Sequence, residues 1–276
     1  MPIRRGPIGV FDSGVGGLTV VAEIRRAMPA EDILYFGDTA RVPYGNKSPE
    51  TVTRYSREVA RFLAAKGIRF LVVACNTSSA VALDSLCAEV SVPVLGMIEP
   101  GARAAAETTG TGRVGLIGTR ATVQSGAYEK AVLALNPSIQ VFSQACPLFV
   151  PLVEEGWAQD PVAEEVARRY LKPLLERGVD TLILGCTHYP VLGSVLRRVA
   201  GPSVKLLSSS RCAAKALQDA LAGERLPEGA GRPGGRGGLR CYVTDAGTHF
   251  REVGERILGE PLAELIPVEE ERLVLA

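Results

Sequence analysis

The chain has 276 residues, of which 46% are apolar, and its 31 basic and 30 acidic side chains leave a net charge of +1. This balance provides no extended basic surface, so we expect neither nucleic acid nor an acidic membrane as a partner. No apolar run approaches the length of a membrane span, and the apolar segment after Gly6 is too short for a signal-peptide core. A cytoplasmic protein is therefore predicted.

Cysteine and histidine usage argues against disulfides and metals. The chain has six cysteines without a Cys-x-x-Cys pair, and its only histidines are His188 and His249. A chain of this length builds a core without disulfide bonds, so reduced thiols are expected. Because the usual zinc-ligand spacing is missing, we predict no metal site. Cys87, Cys212 and Cys241 are interpreted as small buried apolar side chains.

The first part of the chain alternates apolar runs of strand length with helical patterns. Ser48, as an N-cap, and Pro49, at the first helical position, predict the start of one of the helices. Alternation of this kind is typical of a parallel, doubly wound sheet. The predicted elements are strands at 8–11, 33–36, 70–73 and 92–100, and helices at 18–28, 49–66 and 78–90.

The same pattern begins again after residue 112. Two α/β units of similar order and spacing predict two similar doubly wound parallel-sheet domains related by a pseudo-twofold axis. The predicted elements of this part are strands at 113–117, 139–142, 181–184 and 241–244, and helices from near 122, at 160–177 and at 250–258.

Each unit places a cysteine directly after a buried strand. Cys75 follows the run at 70–74, and Cys186 follows the run at 181–185. Ligand-binding and catalytic groups of open parallel sheets collect at the carboxyl ends of strands. Two facing thiols could act on opposite sides of one carbon, one as a thiolate that removes a proton and the other as a thiol that delivers one. Such a pair would invert a stereocentre without a cofactor.

Further polar residues follow the predicted strands. Asp12 precedes a glycine loop whose spacing fits neither a dinucleotide-binding nor a Walker loop, and its carboxylate suits an ammonium group or the activation of a thiol. Glu154 and His188 are candidate acid–base groups beside Cys186. Cys146 is interpreted as a packing residue. Small donors suited to substrate carboxylates are Ser13, Asn76, Thr77, Thr119 and Thr187.

Taken singly, these residues have structural explanations. A cysteine at a strand end is often a packed apolar side chain, His188 could be a hydrogen-bonded core histidine, and Asp12 could cap a helix. Their combination in two matching units favours the functional interpretation.

The chain resembles the bacterial glutamate racemases, which are cofactor-independent amino-acid racemases. The resemblance extends from the N-terminus to Pro190 with all motifs in the expected order. The motifs are FDSGVGGL at 11–18, GDT at 37–39, VPYG at 42–45, ACNT at 74–77, IGT at 117–119, PLVE at 151–154 and GCTHYP at 185–190.

The resemblance implies interconversion of L- and D-glutamate, a small-molecule substrate, with no cofactor and with D-glutamate supplied for peptidoglycan. Cys75 would act on the α-proton of the D enantiomer and Cys186 on that of the L enantiomer. Asp12 would assist Cys75, Glu154 and His188 would assist Cys186, and Asp38 is a further supporting candidate. Implied substrate contacts are Asp12, Ser13, Tyr44, Gly45, Asn76, Thr77, Thr187 and His188.

The resemblance also implies two α/β domains with the active site in the cleft between them. Residues 1–97 and 211–276 would form the first domain, because the C-terminal segment returns to it, and 98–210 would form the second. Two features depart from the family pattern: Ser208-Ser209-Ser210 stands where relatives commonly have Asp-Ser-Gly, and 223–238 is a glycine-rich insertion that we interpret as a mobile surface loop.

Three alternatives stay open at this point. The chain could racemise aspartate or a related amino acid, or it could be an amino-acid-binding protein that has lost turnover. A thiol redox protein would form a Cys75–Cys186 disulfide. Family members associate in different ways, so a homodimer is one option for the assembly.

Overall fold

The structure is a computed structural model that describes residues 6–222 and 235–274. Most of the glycine-rich stretch, for which we predict a mobile surface loop, therefore lies outside the described residues. Among the helices of the described ranges, none is both long and apolar enough to cross a membrane.

Strands and helices alternate along most of the chain. In the described part of the chain, short 3-10 turns occur at Thr39–Arg41, Tyr44–Asn46 and Tyr189–Leu192. The strands are β1 (Ile8–Asp12), β2 (Ile33–Gly37), β3 (Phe70–Val73), β4 (Val94–Leu95), β5 (Arg113–Gly118), β6 (Gln140–Ala145), β7 (Thr181–Gly185), β8 (Lys205–Ser208), β9 (Leu239–Val243) and β10 (Leu265–Pro267). The helices are α1 (Leu18–Ala27), α2 (Pro49–Ala65), α3 (Asn76–Val81), α4 (Leu83–Glu89), α5 (Ile98–Thr108), α6 (Arg120–Gln124), α7 (Ala127–Leu135), α8 (Phe149–Glu154), α9 (Pro161–Leu175), α10 (Gly193–Ala200), α11 (Ser209–Ala222), α12 (Thr248–Leu258) and α13 (Glu270–Val274).

The strands form two parallel sheets that repeat one order. The first sheet runs β10-β9-β2-β1-β3-β4 and the second runs β6-β5-β7-β8. In each unit the first strand therefore lies between the second and the third, and the fourth follows at the edge, while β9 and β10 extend only the first sheet. All paired strands are parallel. The predicted fold class, two similar doubly wound parallel sheets, is confirmed.

The C-terminal part of the chain returns to the first sheet. β9 pairs with β2, and β10 pairs with β9. The apolar face of α11, including Ala213 and Leu217, packs in the same core as Leu18 of α1 and Val10 of β1. The boundaries that we predict for the two domains, 1–97 plus 211–276 and 98–210, stay a prediction.

The start of α2 illustrates how local sequence determines an element. The Ser48 side chain accepts a hydrogen bond from the Thr51 amide at 3.3 Å, and Pro49 occupies the first helical turn, where its missing N–H is not needed. After the helix, Gly67 takes a positive φ of 78°, which glycine adopts without strain. The predicted helix and its N-cap are confirmed.

Several predicted elements differ from the structure. The helix predicted at 78–90 is divided into α3 and α4 around Ala82. The strand predicted at 92–100 is only β4, because α5 already begins at Ile98 with Pro100 in its first turn, where proline is tolerated. Neither α8 nor β10 was predicted.

The cysteines are all free thiols, and their burial corrects one interpretation. Cys241 and Cys146 are buried, as expected for packing residues. The interpretation of Cys87 as a buried side chain was wrong, because it is exposed on α4, and Cys212 is only half-buried on α11.

Candidate active site

A cleft of about 270 Å³ lies between the two sheets, at the carboxyl ends of their central strands. Asp12 ends β1 and Cys75 follows β3, while Thr119 follows β5 and Cys186 follows β7. All the predicted catalytic and substrate-binding residues except the supporting candidate Asp38 line this one cleft; they are Asp12, Ser13, Tyr44, Gly45, Cys75, Asn76, Thr77, Thr119, Glu154, Cys186, Thr187 and His188. Their roles in binding and catalysis stay predictions.

The Cys75 side of the cleft is buried and carries a carboxylate. Cys75 is 5% exposed and Asp12 is 1% exposed. The Cys75 thiol donates to Ser13 Oγ at 3.8 Å, and its sulphur accepts from the Ser78 amide at 3.5 Å. Burial and the nearby charge of Asp12 raise the pKa of Cys75 to about 11. The protonated thiol is therefore the favoured form of Cys75 at neutral pH.

Asp12 belongs to the first unit but also contacts the second. Its Oδ2 accepts from the Gly14 amide at 3.1 Å, and its Oδ1 accepts from Thr187 Oγ1 at 3.4 Å. Burial raises the pKa of Asp12, although the charge of His188 and these hydrogen bonds oppose the increase. The Asp12 carboxylate does not cap α1, whose N-cap is Gly17 without a side-chain hydrogen bond.

On the Cys186 side of the cleft, a thiol contacts an imidazole, and the imidazole contacts a carboxylate. Cys186 Sγ lies 3.8 Å from His188 Nδ1, and His188 Nε2 lies 2.9 Å from Glu154 Oε1. Burial lowers the pKa of His188, but the hydrogen bonds to Cys186 and Glu154 outweigh it and raise this pKa to about 10. Burial likewise opposes ionisation of Glu154, yet the contact with His188 lowers its pKa. A protonated His188 therefore faces the Cys186 sulphur at neutral pH.

Asp38 is buried and does not line the cleft, but it holds Tyr44, which does. Tyr44 donates its hydroxyl proton to Asp38, and Arg41 Nε donates to both carboxylate oxygens of Asp38 at 2.7 and 2.9 Å. Arg41 also pairs with Glu58. Burial and the Asp38 charge raise the pKa of Tyr44 well above its usual value, so Tyr44 presents a neutral phenol.

Hydroxyl groups join the two units beside the cleft. Thr77 Oγ1 lies 3.0 Å from Thr119 Oγ1 and 3.3 Å from Thr122 Oγ1, so one group of three hydroxyls joins α3 to the start of α6. Asn76 is held by Tyr128, whose hydroxyl donates to Oδ1 at 2.7 Å, and by Ser209, which accepts from Nδ2 at 3.4 Å. These contacts fix the orientation of the Asn76 amide.

The triple serine that departs from the family pattern takes part in the same contacts. Ser209 Oγ donates to the Leu184 carbonyl at 2.8 Å, and Ser210 Oγ lies 2.8 Å from Thr19 Oγ1. Thr19 Oγ1 donates in turn to the Thr187 carbonyl at 2.9 Å. Ser209 and Ser210 are fully buried and connect the start of α11 to both cysteine loops.

Sequence reasoning missed an arginine and a histidine near the site. Arg120, the first residue of α6, lines the cleft. His249 lies outside it with Nε2 4.0 Å from Glu154 Oε2. The available signal was weak: Arg120 follows the IGT motif, and His249 is one of only two histidines. Within the described ranges, no group of three His, Cys, Asp or Glu side chains is arranged to hold a metal ion.

Known proteins match this fold and sequence over most of their length. The sequence model of the family described as Asp/Glu/Hydantoin racemase matches residues 8–217. A glutamate racemase of Geobacter metallireducens is 54% identical over 262 residues, covering 95% of this chain and 96% of the relative.

Two solved structures are similar as well. The crystal structure of a glutamate racemase isoform from Bacillus anthracis has a TM-score of 0.90 at 39% identity, covering 96% of this chain and 98% of that one. The glutamate racemase of Francisella tularensis in complex with D-glutamate has a TM-score of 0.88 at 38% identity, with the same coverage. The chain therefore belongs to the Asp/Glu/Hydantoin racemase family, and it is an amino-acid racemase.

Proposed function

We propose that this enzyme interconverts L- and D-glutamate without a cofactor, using Cys75 and Cys186 as the two groups that transfer protons. The observation that carries the proposal is the matched position of the two cysteines. Each cysteine follows the strand that is third in chain order within its unit, β3 or β7, and the first four strands of both units have the same order in their sheets. Both cysteines line one cleft. The relatives that are glutamate racemases support glutamate as the substrate.

Racemisation from L-glutamate begins with a thiolate at Cys186. The thiolate removes the α-proton, and the electron pair of the broken C–H bond is delocalised into the substrate α-carboxylate. The Cys75 thiol then delivers its proton to the opposite side of the same carbon, which gives D-glutamate, a Cys186 thiol and a Cys75 thiolate. From D-glutamate the two cysteines exchange roles.

The surroundings of the cysteines suit this division of roles. The raised pKa of Cys75, about 11, favours the thiol that donates a proton to the D side. The His188 imidazole lies within hydrogen-bond distance of the Cys186 sulphur, at 3.8 Å, and Glu154 holds this imidazole in place. Asp12 lies beside Cys75 and is also able to accept from the substrate ammonium group.

The remaining polar residues of the cleft would bind the two carboxylates. Asn76, Thr77, Thr119 and Thr187 provide amide and hydroxyl donors, and Tyr44 and Gly45 also line the cleft. Supply of D-glutamate for peptidoglycan is the cellular role that we propose. The cytoplasmic location and a homodimer stay predictions.

The direct test is incubation of the purified, metal-free protein with L-glutamate in D₂O. We expect optical rotation to be lost while deuterium enters the α-position. We also expect Cys75→Ser or Cys186→Ser to lower kcat by about 10²–10⁴-fold, the usual contribution of a direct acid–base group. The matched control is Cys87→Ser, which changes an exposed thiol outside the cleft and keeps full activity.

Other substrates distinguish the remaining alternatives. Exchange of the α-proton of aspartate without exchange of that of glutamate would replace the substrate assignment. Tight binding of glutamate without any exchange would identify a binding protein. Cofactor-free racemisation with a loss in both cysteine variants is the result that supports the proposal.

A further inference from the structure

A second opening adjoins the active-site cleft, and Glu154, Gly14 and Val42 line both spaces. This vestibule of about 150 Å³ is lined by Asp245, His249 and Phe250 from the C-terminal part of the chain, and by Glu154. Glu154 also lines the active-site cleft. The Glu154 carboxylate therefore lies where the two spaces meet.

The two oxygens of Glu154 face different histidines. Oε1 lies 2.9 Å from Nε2 of His188, which is on the cleft side, and Oε2 lies 4.0 Å from Nε2 of His249 in the vestibule. The exposed fraction of the side chain rises from 8% at His188 to 32% at Glu154 and 57% at His249. A line of proton-exchanging groups thus leads from Cys186 to solvent without passing through the substrate.

The proposed reaction creates a need for such a line. After one conversion of L- to D-glutamate, Cys186 carries the proton taken from the substrate and Cys75 has lost one. Before the next L-glutamate can react, Cys186 must release a proton and Cys75 must gain one. The chemistry on the substrate does not perform this reset, so the free enzyme must exchange protons with its surroundings.

We propose that His249 is the outer member of a proton relay, through Glu154 and His188, that returns Cys186 to its thiolate between turnovers. The inference rests on the proposed two-cysteine function. His249 does not touch the substrate, so it acts as a relay residue and has no part in the proton transfers at the α-carbon.

The transfers balance along the line. Protonation of Cys186 removes the thiolate that helps to raise the pKa of His188, so the reset starts from a neutral ring with its proton on Nε2. Nδ1 accepts the Cys186 thiol proton while Nε2 passes its proton to Glu154. Because Glu154 Oε2 and His249 Nε2 are 4.0 Å apart, one water molecule between them carries a proton to His249, whose ring releases one to bulk water. Imidazole suits the outer position because one ring nitrogen can accept a proton while the other releases one. Besides Glu154, Asp245 is the other acidic side chain that lines the vestibule.

The Cys75 side shows no matching line in the described residues. The polar contacts of Cys75 are Ser13 Oγ and the Ser78 amide, and its carboxylate neighbour Asp12 is buried. The relay therefore serves only the Cys186 half of the reset. Because the relay serves Cys186 and not Cys75, the inference can be tested by the kinetics of the conversion of L- to D-glutamate.

The experiment compares the full-length enzyme with His249→Gln, using L-glutamate in a buffer without imidazole. The reset occurs on the free enzyme, so it limits kcat at saturating substrate but does not enter kcat/KM. We expect kcat to fall by about tenfold, less than for a direct acid–base group because Glu154 is itself partly exposed, and kcat/KM to stay unchanged. Added imidazole should restore kcat in His249→Gln.

Control variants separate this role from a structural one. Glu252→Gln changes an exposed residue of the same helix, α12. This variant should have the same kcat and kcat/KM as the unaltered enzyme, and added imidazole should affect its kcat no more than that of the unaltered enzyme. An unchanged kcat in His249→Gln would overturn the relay, as would an equal loss of kcat and kcat/KM without rescue. Absence of racemisation by the unaltered enzyme would overturn the proposed function, and the relay with it.

Discussion

Gly16 lies where the glycine loop of the first unit meets the imidazole of His188. A Cβ atom at this position would stand 2.4 Å from His188 Nδ1 and 2.5 Å from Thr187 Oγ1. Both distances are far below van der Waals contact, so the loop can pass only if residue 16 has no side chain. The same Nδ1 atom faces Cys186 Sγ. Gly16 therefore helps to determine where the proposed proton-transferring group lies.

Replacement of Gly16 by alanine should displace His188 and Thr187. We expect Gly16→Ala to lower kcat by about 10²-fold, because a shift of about 1 Å in a catalytic group costs this much. Gly193→Ala is the matched control, since a Cβ there meets nothing within 4 Å. Steady-state racemisation, with unfolding measured in parallel, checks the prediction. Equal activity of Gly16→Ala and Gly193→Ala would contradict it.

Asp12 affects Cys75 by its charge. Burial makes the largest contribution to the raised pKa of Cys75, and the Asp12 carboxylate adds to it. Asp12→Asn keeps the shape and removes the charge, so the pKa of Cys75 should fall below its value of about 11. Alkylation of Cys75 by iodoacetamide across a pH series, followed by peptide mass spectrometry, measures this shift. Asp245→Asn, outside the cleft, should leave the alkylation profile of Cys75 unaltered.

At the scale of elements, the strand ends were predictable from sequence. Carboxyl ends of parallel strands meet at one edge of a sheet. Because a cysteine follows each of two matching strands, the sequence predicted that both cysteines line one cleft. The start of α2 was equally local, because Ser48 and Pro49 encode it.

Other features depended on tertiary contacts. The six residues of α8 include Pro151, so periodicity gave no sign of the helix that carries Glu154. His249 meets Glu154 only because β9 pairs with β2 and brings α12 to the first unit, a pairing between segments about 200 residues apart.

The start of α11 provides a test of how elements hold the site. Ser209 Oγ links the end of β7, through the Leu184 carbonyl, to Asn76 of α3. Ser209→Ala leaves two buried polar groups short of a partner, which costs about 1–3 kcal/mol in the free energy of unfolding. Because Asn76 lines the cleft, KM for glutamate should also rise. Urea denaturation and steady-state kinetics measure the two effects.

The neighbouring serine separates stability from substrate binding. Ser208 Oγ accepts from the Arg211 amide at 3.4 Å and has no contact with Asn76. Ser208→Ala should cost about 1 kcal/mol, as expected for a helix N-cap, and leave KM unchanged. A KM that rises equally in both variants would contradict the specific role of Ser209.

At the scale of the whole molecule, polar contacts between the two units concentrate around the cleft. Thr77 contacts Thr119, and Thr187 contacts both Asp12 and Thr19. The side chains that join the two units are therefore either proposed substrate-binding residues themselves or their direct neighbours. A change in the protonation of a site residue should consequently change the free energy of unfolding of the whole protein.

His188 makes this coupling measurable. Its pKa is raised from 6.5 to about 10 in the folded protein, so its stabilising contribution is complete below pH 6.5 and is lost as pH rises through 10. Above pH 6.5 the unfolded chain releases this proton while the folded protein keeps it. The free energy of unfolding should therefore fall by up to about 1.4 kcal/mol per pH unit.

The window for this experiment lies between pH 6.5 and about 8, because the unfolded cysteines, whose ordinary pKa is 9.0, ionise increasingly above it while the raised pKa of Cys75 keeps that thiol protonated in the folded protein. Urea denaturation at several pH values in this window should give a downward slope for the unaltered protein. The slope should be absent in His188→Asn, which has no proton to retain. It should be reduced in Glu154→Gln, since the loss of the carboxylate removes one of the two hydrogen-bonded groups that raise the pKa of His188. A slope that survives in His188→Asn would show that another group titrates in this range, and would separate the stability of the molecule from the charge state of its proposed catalytic imidazole.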